Sequence, residues 1–313
     1  SGTYNYSISI SVGSTNNTVD GTITVNNGPV FSVVAGGNGK GLDSNQLWYP
    51  EIIFKNGDYI YIVDAQNRPG RVQKWKIGDS EGSTVANNLN YPFMCYVDSQ
   101  SNIFVTDRIT DKLKKFSTAS SETPQLELTL ESNSTVLNEP TGIIQQSSGI
   151  YYISDMRNNR VIKWIEGQTT GTVLFGGNGQ GSNSNQLYFP HEINFDSQGN
   201  TYVLDSGNNR VQKFTDSSGN GTTVAGGNGS GSSLNQIGYS TGFHVTSSGD
   251  IYIADVQNQR IIKWSSGSSE GQIILNSSSG FGSIYPNDIY VDETSGIIYF
   301  SDFNNHRVVK YIL

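Results

Sequence analysis

Six aspartates, Asp64, Asp107, Asp155, Asp205, Asp255 and Asp302, each close a short apolar alternation and precede a polar turn, at successive spacings of 43, 48, 50, 50 and 47 residues. A period of that length holds one small sheet, and such a unit cannot bury its own apolar face. The copies must therefore stack on one another. The clearest copy spans residues 171–214, GTVLFGGNGQGSNSNQLYFPHEINFDSQGNTYVLDSGNNRVQKF.

Within that copy the periodicity is that of strands. Residues 193–195, 201–204 and 211–214 are short and rich in β-branched and aromatic side chains, with Asp-Ser-Gln-Gly-Asn and Asp-Ser-Gly-Asn-Asn turns between them. A further strand precedes Gly176-Gly177. No stretch carries a capped apolar stripe at helical spacing, so each unit reads as four antiparallel strands. Six such units read as an all-β, six-bladed β-propeller.

Pro190-x-x-Ile-x-Phe-Asp196, Gly199-Asn-x-Tyr-Val-x-Asp205 and Asn208-Asn-Arg-Val-Gln-Lys-Phe214 together resemble the NHL repeat, and related copies span about residues 31–313. Asp155/Arg160, Asp205/Arg210, Asp255/Arg260 and Asp302/Arg307 keep one phase, five residues apart. Blade one departs through Pro69-Gly70, which puts Arg71 seven residues after Asp64, and blade two has Lys112 in the arginine place. The resemblance implies a ring of NHL type.

Residues 1–29 lie outside the repeat phase, and 30–313 form the propeller. Residues 4–12 and 18–25 alternate strictly around Gly-Ser-Thr-Asn-Asn and read as a β-hairpin, either added to the ring or the tail of a preceding domain. Residues 30–35, VFSVVA, match the outer strand of later copies, and the last copy stops after its third strand. The N-terminal strand thus completes blade six and closes the ring, removing an edge open to foreign strands. In residues 117–139, Leu126-x-Leu-x-Leu130 reads as an outer strand.

A net charge of −8 with 19 Lys+Arg argues against a nucleic-acid surface. No apolar run reaches the length of a membrane helix. Sequons at Asn5, Asn16, Asn133, Asn220, Asn228 and Asn276 in a Ser/Asn-rich chain point to an extracellular or cell-surface protein. The opening Ser1-Gly2 reads as a cloning scar, and the chain as a monomeric domain of a larger protein. Cys95, on a strand, reads as an inert small hydrophobe.

The recurring Gly-Gly-Asn-Gly loops at Gly36, Gly176 and Gly226 lack the Lys-Ser/Thr and the helix of a phosphate loop and read as tight blade-to-blade crossings. A feature present in every blade serves the ring, whereas a site needs asymmetry. The starts of the inner strands and the turns after each Asp share one end of the sheets, which becomes the candidate face. There stand Glu51, Phe93, Thr141, His191, Thr241 and Asn287, with Glu192 and Asp288 one place on. Glu51 aligns with His191 or, blade one being shorter, with Glu192. Tyr49, Tyr91, Phe189, Tyr239 and Tyr285, each one residue before the Pro or its equivalent, would rim an acidic channel mouth suited to a cationic or hydroxyl-rich partner.

Phe189-Pro190-His191 resembles the start of an inner strand in the peptidylglycine amidating lyases, six-bladed zinc enzymes, and that resemblance implies a zinc ligand at His191. The other strand starts supply no second or third histidine, and zinc wants about three protein ligands. One carboxylate among amides in each Asp loop is likewise thin for calcium. The expectation is a non-enzymatic recognition scaffold without a cofactor, binding a protein, peptide or glycan. The alternatives are a metal-dependent lyase, with zinc or calcium, and a hydrolase using Glu192 and Asp288.

Overall fold

The computed structural model describes residues 31–65, 69–117, 123–132, 135–216, 218–280 and 282–313 in full, and 2–12 and 15–25 as backbone. Six four-stranded antiparallel sheets follow one another along the chain. In blade four the order from the axis outwards is Pro190–Phe195, Thr201–Asp205, Arg210–Phe214 and Thr222–Gly226. Blade six combines Pro286–Asp292, Ile297–Asp302 and Arg307–Ile312 with Phe31–Gly36, and Arg307 pairs with Gly36 and Tyr311 with Phe31. The ring closes as its phase predicts.

Gly2–Val12 and Thr15–Val25 form a separate two-stranded sheet in which Val12 pairs with Thr15. The connection is therefore shorter than the five-residue loop read from composition. Leu126–Leu128 is the outer strand of blade two, followed by the short ladder Glu131–Ser132 with Thr135–Val136. The loop stretches 118–122 and 133–134 lie outside the described residues.

One departure from the all-strand reading recurs. After Asp155, Asp205, Asp255 and Asp302 the chain makes a single 3-10 turn, ended by a left-handed residue, Asn159, Asn209, Gln259 or His306. These turns are too short to show any apolar period.

The aspartate at each turn is a clasp. Asp205 accepts the amide of Tyr188 at 2.7 Å and pairs with Arg210 Nε at 2.7 Å. Arg210 then donates to the carbonyls of Ser182, Asn183 and Gln186 in the crossing from blade three. Blades one, three and five repeat the arrangement through Arg71, Arg160 and Arg260. Blade two differs: Lys112 keeps the arginine's backbone register opposite Asp107, but Lys114 makes the ion pair with it at 2.8 Å. In the glycine-rich crossings the side chains of Asn38, Asn178 and Asn228 donate to the carbonyls of Asn45, Asn185 and Asn235, so the latter act through their backbone.

Trp75, Phe116, Trp164, Phe214 and Trp264 share one phase and are at most 2% exposed, while Tyr311 is half-buried. Each fully buried ring removes roughly 150–250 Å² from water, worth about 4–6 kcal/mol. This aromatic layer lets blades that are individually too thin form a common core.

Candidate functional site: the two mouths of the central channel

In blades one, two, three, four and six the inner strand carries a register shift just after its first residue. Pro50 pairs with Asp64 and Ile53 with Ile62, as Pro190 pairs with Asp205 and Ile193 with Val203. Glu51 therefore aligns with His191, not with Glu192. Glu51, Phe93, Thr141, His191, Thr241 and Asn287 form one layer around the axis, each less than a tenth exposed.

Two members of that layer serve the ring. Thr141 Oγ1 donates to the carbonyls of Pro190 and His191, and Thr241 Oγ1 to that of Asn287, tying neighbouring blades. Asn287 Nδ2 donates to Glu51, at 2.9 Å to its carboxylate and 3.1 Å to its carbonyl. Burial pushes Glu51 up to about 7 against the pull of Arg108 and this amide. His191 packs its ring on Phe93 at 5.1 Å and meets the Tyr239 hydroxyl with Nε2 at 3.0 Å. Burial, reinforced by the charge of Arg108, holds it down to about 3, so the imidazole is neutral.

Arg108, which the sequence reading passed over, governs this mouth. It occupies the turn position held elsewhere by Ala65, Met156, Ser206, Val256 and Phe303, and its guanidinium lies over Tyr91 and Phe93. It pairs with Glu139 at 2.6 Å, and Glu139 also holds Arg157 at 3.0 Å. Asp111 Oδ1 accepts the Glu139 amide at 2.7 Å, so two cations and two carboxylates interleave in this sector. Arg108 Nε and His191 Nδ1 are buried and meet no hydrogen-bond partner among the described residues.

The rim is aromatic. Tyr49 and Phe189 sit at φ 57° and 50°, a conformation costly for bulky side chains. The preceding blade holds them there: His306 Nδ1 accepts the amide of Tyr49, and Asn159 Oδ1 that of Phe189. Tyr49 also stacks on Phe303 and His306. Tyr285 is held by its amide to Asp302 at 2.8 Å. Tyr239 is 44% exposed and leans inward onto His191.

Glu192 and Asp288 lie below this layer and meet each other over Gly242. A Cβ on that glycine would strike the Asp288 carboxylate and Cα, so the glycine makes the space in which the acids meet. Each acid also takes a bulge amide of the next blade: Glu192 that of Phe243 at 2.7 Å, Asp288 that of Ile53 at 2.8 Å. Burial, and for Glu192 the nearby Asp288, hold both above the carboxylate range. Asp288 Oδ1 is buried and meets no donor among the described residues.

Beyond the pair the channel widens again at the opposite face. Phe54, Tyr96, Ile144, Asn194, His244 and Tyr290, one per blade and all half-buried, surround a cavity of about 160 Å³. These residues were legible in phase, three places after the strand starts.

The ring neighbours of His191 are Phe93 and Tyr239, and among the described residues no three His, Cys, Asp or Glu side chains group to hold a metal. Nor is any described helix long and apolar enough to cross a membrane.

Fold and channel together define a six-bladed β-propeller. Residues 187–214 match the NHL repeat, which spans the crossing into blade four and its first three strands, and the other blades follow the same four-stranded plan. Similar solved structures share this fold. An auxiliary nutrient binding protein from Bacteroides thetaiotaomicron has a TM-score of 0.72 at 14% identity, over 95% of this chain and 79% of that one. A virginiamycin B lyase from Staphylococcus aureus has 0.55 at 15%, over 91% and 99%. A gluconolactonase from Xanthomonas campestris has 0.63 at 13%, over 87% and 88%. No curated protein matches the chain.

Proposed function

We propose that the protein is a non-enzymatic recognition module of the cell exterior, binding a peptide, protein or glycan segment at the mouth built by Arg108, His191 and the aromatic rim. One observation carries this: at the place where the repeat is broken, Arg108 Nε and His191 Nδ1 are buried without partners among the described residues. In the tautomer in which Tyr239 donates to Nε2, the proton of the neutral imidazole sits on Nδ1 and both groups are unmet donors. A buried unmet donor costs about 1–3 kcal/mol, which a ligand carboxylate or hydroxyl oxygen would offset. Tyr239, leaning over His191, and Arg157, stacked over Phe189, extend the contact outward. The nutrient-binding protein of similar fold is consistent with this reading.

Glycan and peptide arrays probed with the intact protein test it. Binding should fall at least tenfold in the double variant Arg157→Ala/Tyr239→Ala and stay unchanged in Ser197→Ala, away from the mouth. No binder on either array, or binding indifferent to the double variant, overturns the assignment. Near-stoichiometric zinc in the purified protein by elemental mass spectrometry would overturn its non-enzymatic part. A zinc enzyme would lose metal and activity in His191→Ala.

A further inference from the structure

The opposite mouth of the channel carries a separate site, independent of that reading. Its cavity of about 160 Å³ is close to the roughly 150 Å³ engineered cavity that takes a benzene molecule. One six-membered ring therefore fills it. The walls suit a flat apolar ring: Phe54, Tyr96 and Tyr290 contribute aromatic surface and Ile144 an aliphatic one, while Phe54 meets Tyr96 edge-on at 5.0 Å. A sugar ring would bury more hydroxyls than these walls can satisfy.

Besides Lys55 and Glu192, two polar groups break the apolar lining. His244 packs edge-on against Tyr290 at 5.0 Å, and its ring makes no hydrogen bond among the described residues. Burial holds it neutral, down to about 4. Asn194 spends its Nδ2 on the carbonyl of Phe243 and on Glu192, leaving Oδ1 as an acceptor facing the cavity. The one cation in the lining, Lys55, is held by Asp292 at 3.4 Å and lies over Tyr290 and Tyr299. Nothing is therefore left to neutralise an anion, and the Glu192–Asp288 pair beneath would repel one.

We propose that this cavity binds a neutral monocyclic phenol, its ring held by Phe54, Tyr96, Ile144 and Tyr290 and its hydroxyl by His244 and Asn194. The phenol is either a free small molecule or the side chain of a tyrosine.

The test is calorimetric titration of the intact protein with p-cresol, toluene, myo-inositol and N-acetyl-tyrosinamide. p-Cresol should bind saturably and about tenfold more tightly than toluene, the factor expected for one hydrogen bond of about 1.4 kcal/mol. Ile144→Trp, which fills the cavity, should abolish binding. His244→Phe should erase the preference over toluene, and serves alone if the tryptophan variant does not fold. N-acetyl-tyrosinamide binding as tightly as p-cresol identifies a tyrosine side chain as the source; p-cresol alone identifies a free phenol. The proposal is overturned if p-cresol does not saturate, if toluene or myo-inositol binds as tightly, or if neither substitution alters binding.

Discussion

Replacing Glu51 with glutamine tests the electrostatics of the upper mouth quantitatively. Burial raises Glu51 from 4.5 to about 7. The folded protein therefore keeps a proton that the unfolded chain releases once the pH exceeds 4.5. A carboxyl with a raised folded pKa contributes stability that is fully present below its unfolded pKa and lost as pH rises through the folded value. At about 1.4 kcal/mol per pKa unit, that loss amounts to about 3 kcal/mol across the window from 4.5 to about 7. Glutamine can still accept from Asn287 Nδ2 but cannot ionise. The stability of Glu51→Gln relative to the native protein should thus rise by about 3 kcal/mol between about pH 4.5 and pH 8. The difference between the two proteins is the informative quantity. His191 and His244, buried and neutral, titrate in the opposite sense in both and cancel from it. Urea melts at several pH values measure it. A difference constant to within about 1 kcal/mol across that range would refute the reasoning.

Three further outcomes follow from the geometry. Arg210→Ala leaves Asp205 buried without its cation and strands three carbonyls, so denaturant melts should show a loss of about 3–5 kcal/mol. Gly242→Ala drives a methyl into Asp288 and its backbone, and should lower the melting temperature well beyond the fraction of a kcal/mol typical of an exposed glycine, read by calorimetry. Burial pushes the Cys95 thiol up, and it is fully enclosed, so it should resist a thiol reagent in the native protein and react at once in denaturant.

Strand periodicity and turn chemistry are local, which is why the six blades, the clasping aspartates and the closing strand 31–36 could be read from the chain. Rim and strand-start positions followed from phase alone. The charge of the mouth did not, because it depends on one residue: Arg108 stands where five other blades carry an uncharged side chain, a contrast visible on alignment of the copies but silent about where the guanidinium reaches. The register of Glu51 was open in sequence because blade one is shorter, and pairing of Pro50 with Asp64 decides it. The contact between Glu192 and Asp288 joins blades four and six across the intervening blade five. No spacing encodes that; it depends on the missing side chain of Gly242.

The seam of the ring has a mechanical consequence. Phe31 pairs with Tyr311, and the ladder runs from there to Gly36 opposite Arg307. Tension applied at residues 31 and 311 therefore acts at one end of an antiparallel pair and parts its rungs singly, like a zipper. Were the same strands loaded in shear, every rung would resist together. A pull along the chain in both directions would open blade six at low force and release the strand that closes the circle, while the remaining blades stay folded behind it.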